Sequence, residues 1–245
     1  MLLREDINYF NRGFKENEKF WERLGEKPEF KDKSILDFGC GHGALCIDIA
    51  GEDARDILGI DLEEKPLSFA QENLATNYKN LKDRIEFKKI NLLEYKIDKK
   101  FDYIVSKDTF EHTQNLPKVL DKMYDLLNVG GKVFLGFGPL YNFFNGDHGR
   151  TKMFLPWFHL LFSEKFLIKR INFRRKDKIK KIEDLGLSKY SLKQYEDFLK
   201  NSKFKILIFK KNQTKHPVGK AFNILSKLKF LKEYFTFNIY CILEK

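Results

Sequence analysis

Three glycines at alternate positions, Gly39, Gly41 and Gly43, lie between two apolar segments of the chain. The apolar residues before them predict a buried strand at 34–38, and those after them predict a helix at 44–51. A turn without side chains lets a ligand come close to the backbone and to the N-terminus of the following helix. The segment therefore predicts a strand–turn–helix unit that binds a ligand at its turn.

Two aspartates near this turn narrow the type of ligand. Asp61 ends the next apolar run, eighteen residues after Gly43. An acid at this point of a βαβ unit accepts hydrogen bonds from ribose hydroxyls, which predicts a nucleoside cofactor. The glycine spacing is G-x-G-x-G rather than the G-x-G-x-x-G that serves a pyrophosphate. Asp37, two residues before the first glycine, would repel a pyrophosphate and suits a ligand with an ammonium group.

Four segments in register carry a family resemblance. They are ILDFGCGHGALCIDIA, GIDLEEKPLSFAQENL, INLLEY, and FDYIVSKDTFEH with LLNVGGKVFLGFG. Over about residues 30–140 the chain resembles class I S-adenosylmethionine (SAM)-dependent methyltransferases. The later segment GPLYNFFNGDHG…FLPWFHLLFSEKFLIKR resembles an uncharacterised subgroup of these enzymes with a G-P-x-Y…H…P-W-x-H cap after strand five. The second resemblance supports a core with a cap and names no substrate.

The hydrophobic pattern predicts alternating strands and helices. Strands are predicted at 34–38, 56–60, 85–90, 101–106, 131–137, 205–209 and 235–243, and helices at 44–51, 65–76, 116–127, 191–202 and 218–234. Alternation of this kind predicts a parallel sheet with helices on both faces. The resemblance implies that the last strand inserts antiparallel between strands five and six. The predicted fold class is thus α/β: a Rossmann-like, doubly wound, seven-stranded sheet with its last strand antiparallel.

The domain prediction is a single methyltransferase domain over 1–245. Its parts are a helical lead-in at 1–30, a SAM-binding core at 31–138, an inserted cap at 139–190, and the C-terminal part of the sheet at 191–245. The lead-in either covers the pocket, as is frequent in the family, or packs against the sheet edge. The cap is dense in aromatic residues, among them Tyr141, Phe154 and Trp157. This density suits a lid or substrate wall, or a small hydrophobic core, and the two roles are compatible.

Three short features complete the predicted organisation. Residues 128–131 read as the turn that ends the fourth helix and leads into strand five. Ser191 is a predicted N-cap. Residues 218–234 read as a basic amphipathic helix, which either contacts a membrane surface or crosses over with its apolar face on the sheet.

Positive charge is concentrated in the last third of the chain. Residues 1–164 carry 24 Lys and Arg against 28 Asp and Glu, whereas residues 165–245 carry 22 against 7. Such a balance favours an anionic partner: a phosphate-bearing substrate, nucleic acid or a membrane surface. The alternative is a lysine-rich solvated surface without a partner.

Cysteine usage and hydropathy predict the compartment. Cys40, Cys46 and Cys241 are odd in number and show no C-x-x-C pair, so they are expected to be reduced core residues. The N-terminus is charged at once, and no run reaches the roughly 18 apolar residues that span a bilayer. The predicted location is the cytoplasm, with peripheral membrane contact as a variant.

The family resemblance implies which residues hold SAM. Asp37 and the 39–43 backbone hold the methionine end, and Asp61 holds the ribose. Leu62 packs on the adenine, with Asn91 (Asp in many relatives) and Leu92 at its rim. The full predicted set is Asp37, Gly39, Cys40, Gly41, Gly43, Asp61, Leu62, Asn91, Leu92 and Lys107.

The stretch after strand four is predicted to carry the catalytic chemistry. Residues beyond strand C-termini line the ligand crevice of such sheets, which places Asp108, Glu111 and His112 near the methyl group. The protein must align the acceptor and remove its proton, and a His of ordinary pKa near 6.5 suits that task. His112 is the predicted general base, and His148 in the cap is a second acid–base or substrate-contact candidate. Alternatively, His112 caps a helix or bonds a backbone carbonyl.

A divalent metal is a less favoured alternative. The D-x-x-E-H pattern resembles the E-x-x-E-H of ubiquinone-biosynthesis O-methyltransferases and of small-RNA terminal ribose methyltransferases, which implies Asp108, Glu111 and His112 as ligands. Asp108 is one methylene shorter than the Glu of those groups. His148 could supply a further ligand from the cap.

The predicted function is SAM-dependent transfer of a methyl group to an oxygen or nitrogen of a small-molecule, sugar or polar-lipid acceptor in a capped pocket. One alternative is metal-assisted RNA ribose methylation. Against it, the chain shows no separate RNA-binding module and few arginines among its basic residues. Another alternative is a non-catalytic SAM-binding or scaffold protein. His159 is expected to have a structural role.

Overall fold

The computed structural model describes residues 2–152, 155–173 and 175–245, so Phe154 of the predicted cap lies outside the described residues. Its strands are β1 (Ser34–Phe38), β2 (Asp56–Asp61), β3 (Ile85–Lys89), β4 (Phe101–Lys107), β5 (Leu127–Phe137), β6 (Lys205–Lys211) and β7 (Ile239–Glu244). They form one sheet in the order β3-β2-β1-β4-β5-β7-β6. The pairs among β1 to β5 are parallel, and β7 runs antiparallel to both β5 and β6. The predicted fold class is confirmed.

Helices connect the strands and flank the sheet. They are α1 (Arg4–Leu24), α2 (Ala44–Ala50), α3 (Glu64–Asn77), α4 (Leu116–Leu126), α5 (Phe158–Leu161), α6 (Glu164–Phe173), α7 (Leu192–Lys200), α8 (Pro217–Leu225) and α9 (Lys232–Phe235). α7 begins as predicted: the Ser191 hydroxyl accepts from the N–H of Gln194 at 3.1 Å, and the Gln194 side chain accepts from the Ser191 N–H. This reciprocal pair satisfies two backbone donors at the helix start.

The sheet is buried on both faces, as a parallel sheet with helical crossovers requires. Adjacent residues of β1 show this, since Ile35 packs in the cluster under α1, α2 and α3, and Leu36 packs in the cluster under α4 and α7. α1 contributes Trp21, whose ring lies 5.8 Å from that of Phe134 on β5. The lead-in therefore packs against the sheet along its C-terminal half.

The start of β7 and the turn before β5 differ from prediction. β7 begins at Ile239 rather than at 235, because Phe235 ends α9. Residues 128–131 belong to β5, although Gly130 has a φ of 75° and the pairing with β4 shifts register between Phe101 and Tyr103. The predicted turn is thus a bulged start of the strand.

The single helix predicted at 218–234 is wrong. The segment forms α8 and α9, and neither contains a buried residue. Asn212, at the end of β6, donates to the hydroxyl of Ser226 and to the carbonyl of Phe235, both at 3.0 Å. Nine residues of straight helix would separate those two positions by about 13 Å, so one amide could not reach both. The expectation of an apolar helix face buried on the sheet is wrong for the same segment.

The cap contains a small hydrophobic cluster of its own. Its buried members are Leu167, Ile171, Ile179, Ile182 and Leu187. His159 has the structural role expected of it, because it is buried and its Nε2 lies 2.7 Å from the carbonyl oxygen of Tyr141. None of the helices in the described ranges is long and apolar enough to cross a membrane. All three cysteines are free and buried.

Candidate active site

The glycine turn is held on the end of β2 by its own backbone. The N–H groups of Gly39 and Cys40 both donate to the carbonyl of Ile60, at 2.9 and 3.0 Å, and the N–H of Gly43 donates to Cys40 at 2.9 Å. Gly39, Gly41 and Gly43 all have positive φ angles, 83°, 50° and 79°. Only glycine adopts such angles without strain, so the turn requires all three.

The surroundings of the three glycines differ. A Cβ on Gly39 would collide with the side chain of Thr109, and one on Gly43 would lie 2.6 Å from the ring of Phe87. A Cβ on Gly41 would meet no atom within 4 Å. Gly39 and Gly43 are therefore glycines because the protein packs against them, whereas Gly41 borders open space where a ligand can approach.

Both predicted carboxylates lie at this turn. Asp61 accepts the N–H of Gly41 on Oδ2 at 2.8 Å and the N–H of Glu63 on Oδ1 at 2.9 Å. Asp37 is buried and accepts from the thiol of Cys46 at 3.1 Å. Burial raises the pKa of Asp37 to about 6. Two hydrogen bonds thus fix Asp61 to the loop. A cation near Asp37 would stabilise its buried carboxylate.

The other predicted cofactor residues differ in their exposure and in their hydrogen bonds. Leu62 is exposed, and Cys40 lies in the turn itself. Leu92 is 2% exposed and belongs to the core cluster, and its place at the adenine rim stays a prediction. The Asn91 amide is occupied in its own turn: Oδ1 accepts from Leu93 at 3.1 Å, and Nδ2 donates to Glu94 at 2.7 Å.

Lys107 extends from the end of β4 towards α1. Its ammonium donates to the side-chain oxygen of Asn17, and desolvation lowers its pKa. The buried Asn17 amide also donates to the carbonyl of Ala44 at 3.3 Å and to Asp48 at 3.2 Å. Asn17 therefore links the lead-in helix to α2, and Lys107 bonds to this asparagine.

The N-terminal half of α1 covers the glycine turn, which sequence reasoning did not assign to named residues. His42 in the turn pairs with Asp6 at 3.2 Å, and its ring lies 4.6 Å from that of Tyr9. The pKa of Tyr9 is raised by desolvation and then by the charge of Asp108. The signal in the sequence for this contact was the presence of polar residues on the side of α1 that would otherwise face solvent.

Glu111, His112 and His148 form one cluster. Each offers a ligand atom within 4.8 Å of the others, and the two imidazole rings lie 4.8 Å apart. Glu111 accepts from the N–H of Gly138 on Oε1 at 3.2 Å, while its buried Oε2 has no hydrogen-bond partner among the described residues. Burial raises the pKa of Glu111 well above its usual range. The cluster joins the end of β4 to the cap. The sequence had suggested both His112 after this strand and His148 in the cap as site residues.

Hydrogen bonds to backbone carbonyls determine which nitrogen of each imidazole carries the hydrogen. His112 Nδ1 lies 2.7 Å from the oxygen of Gly186, and His148 Nε2 lies 3.1 Å from that of Pro139. A carbonyl only accepts, so these nitrogens carry the hydrogens, and the opposite nitrogens keep lone pairs. The expectation that His112 bonds a backbone carbonyl is thus met by one nitrogen, with the other left for chemistry.

The ordinary pKa of 6.5 expected for His112 is wrong. Burial, then the positive charge of Arg150 and that of His148 in its protonated form, lower the pKa of His112 to about 4. Burial also lowers the pKa of His148. Arg150, which the sequence did not single out, donates to the carbonyl of Gly186 at 2.9 Å. Both imidazoles are consequently neutral at pH 7.

Asp108 lies outside the cluster. Its φ is 55°, its N–H donates to the carbonyl of Gly136 at 2.8 Å, and its side chain is exposed. Desolvation raises the pKa of Asp108. A non-glycine residue with this backbone is held there by its surroundings, a feature that is frequent at functional sites. The structure therefore brings together Glu111, His112 and His148, and the catalytic and metal-binding roles of Asp108 stay predictions.

The family assignment follows from this fold and one sequence match. Residues 29–136 match the family model described as a methyltransferase domain, and this range holds the glycine turn, Asp61 and His112. The chain contains a class I SAM-dependent methyltransferase domain. Binding of SAM is typical of this family.

Relatives of the methyltransferase domain include phosphoethanolamine N-methyltransferases. The chain is 32% identical over 132 residues to phosphoethanolamine N-methyltransferase 2 of Caenorhabditis elegans, which covers 53% of this chain and 29% of that protein. The chain thus spans less than a third of that relative. Two solved structures show the same fold: a SAM-dependent methyltransferase of Mesorhizobium loti (TM-score 0.59, 16% identity, 93% and 98% coverage of this chain and that one) and Haemonchus contortus phosphoethanolamine N-methyltransferase 2 with phosphomonomethylethanolamine and S-adenosylhomocysteine (0.60, 19%, 95% and 53%).

Proposed function

We propose that this chain transfers the methyl group of SAM to an amine or hydroxyl of a small polar acceptor. One observation carries the proposal: the segment after β4 packs on the glycine turn through Thr109 and places Glu111 and His112 beside His148. The cofactor side and an acid–base cluster are therefore neighbours. Sugar and polar-lipid acceptors belong to the same proposal, since they present the same nucleophiles.

The residues at the turn fit SAM. The open space at Gly41 admits a ligand, and the Asp61 carboxylate, fixed by two backbone N–H groups, keeps lone pairs for ribose hydroxyls. The buried Asp37 carboxylate suits the ammonium of the methionine end, because a nearby cation relieves the cost of its burial. When bound, SAM supplies an activated methyl group on a good leaving group.

The work left to the chain is to orient the acceptor and to take its proton. A neutral amine or a hydroxyl within reach of His112 Nε2 or His148 Nδ1 finds a lone pair there. The low pKa of His112 makes it a weak base, so it suits an acceptor whose proton leaves as the new bond forms. When it carries a proton, the Glu111 carboxyl can donate from Oε2, which would orient the acceptor.

The first acceptor to test is phosphoethanolamine, since relatives named for it match half of the chain. SAM binding is measured first by calorimetry, and transfer is then followed by mass spectrometry with phosphoethanolamine, ethanolamine and a panel of sugars and phenols. Binding without transfer to any acceptor class would support the non-catalytic alternative. Absence of SAM binding would overturn the proposal.

A metal-assisted reaction is the second candidate, and the cluster is the observation that favours it. Two neutral imidazoles, each oriented by a backbone carbonyl, and an unpartnered carboxylate oxygen are an arrangement that suits a divalent ion. Arg150 opposes it, because its charge acts on all three groups. Mn²⁺ titration followed by electron paramagnetic resonance tests binding without reference to activity. A bound ion lost in Glu111→Gln would bring RNA ribose ends into the acceptor panel.

A further inference from the structure

The segment from α8 to α9 exposes apolar side chains on a structured surface. Val218, Ile224, Leu228 and Phe230 are all exposed, with Ile224 at 67% and Phe230 at 74%. Exposed single apolar residues are normal, but four within thirteen residues are not. We call this surface, formed by these four residues together with Lys220, Lys227 and Lys229, the basic apolar face.

The charge of this segment has one sign. Residues 213–232 contain five lysines and no Asp or Glu. Lys232 pairs with Glu196 at 2.8 Å, and Lys215 pairs with Glu22. The lysines of the basic apolar face, Lys220, Lys227 and Lys229, have no ion-pair partner within the part of the chain that the structure describes. The positive charges of these three lysines are therefore available to an anionic partner outside the protein.

The opposite side of the segment is anchored to the protein. Phe222 lies 5.5 Å from the rings of both Phe143 and Phe235, and Asn212 holds Ser226. Glu233 points inward and accepts from the N–H of Leu192 at 2.6 Å. Phe222 thus serves the interior contact, and the residues of the basic apolar face, Phe230 among them, are left outside.

From this arrangement we propose that the basic apolar face docks on the surface of an anionic lipid bilayer. Apolar side chains that enter the headgroup boundary, with lysines between them at headgroup level, give the usual mode of interfacial binding. RNA fits less well, because the chain has no arginine after Arg175 and three of the four apolar residues of the face are aliphatic, which leaves Phe230 as its one stacking surface. The contact goes beyond the proposed function and does not depend on it.

Flotation of the full chain with vesicles tests the contact. Vesicles of phosphatidylcholine alone are compared with an equimolar mixture of phosphatidylcholine and phosphatidylglycerol, at low and at high salt. We expect binding to the mixed vesicles only, weakened by salt. The double variant Ile224→Asp with Phe230→Asp should reduce binding at least about tenfold. The matched control is Val129→Asp, which changes a residue that is 94% exposed at the start of β5.

Charge is tested separately. Lys220→Glu with Lys227→Glu should reduce binding to mixed vesicles about tenfold, whereas Lys79→Glu with Lys82→Glu, two exposed lysines beside β3, should leave it within about twofold. Melting temperatures and SAM binding show that each variant is folded. Failure of the wild type to float with mixed vesicles overturns the proposal, as does equal binding by the face and control variants. Preferential binding of a single-stranded RNA over the vesicles would also overturn it.

Discussion

The cofactor side and the acid–base side of the site are built in different ways. The glycine turn, Asp37 and Asp61 come from one βαβ unit, and short backbone hydrogen bonds fix their relation. Glu111 and His112 meet His148 across 36 residues of chain, and Gly186 and Pro139 orient the imidazoles from the cap. The first arrangement is local and depends on conformation. The second is assembled by the tertiary fold, and burial sets its chemistry.

The largest expected effect separates the two sides. His112→Ala should lower kcat by about 10²–10⁴-fold, because the acceptor loses the lone pair that takes its proton. The SAM dissociation constant should stay within about twofold, since His112 makes no contact with the glycine turn. Single-turnover kinetics and calorimetry measure the two quantities, with the exposed His216→Ala as the control. Activity that survives within a few-fold would show that His112 is not the base.

The converse change should act on binding. Asp61→Ala should weaken SAM binding by about 1–3 kcal/mol, because the ribose loses a charged acceptor and the Gly41 N–H loses its partner. At saturating SAM, kcat should change less than in His112→Ala. The exposed Asp125→Ala is the matched control. If both Asp61→Ala and His112→Ala change binding and turnover equally, the two sides do not act separately.

The third prediction sharpens the comparison through pH. The pKa of Asp37 in the free protein is about 6, and an ammonium beside it would lower that pKa. SAM affinity should therefore be constant above pH 6 and fall by about tenfold for each pH unit below it, with proton release on binding near pH 6. Calorimetry in buffers of different ionisation enthalpy measures the release. An unchanged pH dependence in Asp37→Asn would assign the proton to another group.

The sequence could predict what local structure decides. The strand–turn–helix unit, the start of α7 at Ser191 and the antiparallel β7 depend on nearby residues or on the topology of the resembling family. It could not predict the break after α8, because the amide of Asn212, which follows β6, holds Ser226 at the end of α8 and Phe235 at the end of α9. The burial of Leu92 could not be predicted either, since a motif gives its position along the chain and only packing gives its burial.

The pKa of His112 shows the same limit at the candidate site. The sequence places a histidine after β4, but burial and Arg150, 38 residues away, decide that it is neutral. His148 was predicted as a possible further ligand beside Glu111 and His112, and the hydrogen bond that orients its ring came only from the fold. The sequence could thus predict which residues lie at the candidate site, but it could not predict their protonation states.

The smallest expected effect concerns stability. Because the folded pKa of His112 is about 4 and its unfolded value is about 6.5, the unfolded chain binds more protons between these pH values. Stability from this group is complete above pH 6.5 and is lost as pH falls towards 4. Asp37 acts in the opposite direction, since its raised folded pKa stabilises the folded state as pH falls from 6 towards 3.8.

The two contributions can be separated by urea unfolding between pH 4 and pH 7. His112→Gln should remove an acid-side loss of about 1–2 kcal/mol, less than the full shift would give because the ring is partly exposed. Asp37→Asn should remove the opposing gain, so that stability falls more steeply with acid. A His112→Gln profile parallel to that of the wild type would mean that His112 titrates normally. The chemistry of the acid–base side would then depend on residue type alone, just as the chemistry of the cofactor side depends on its backbone.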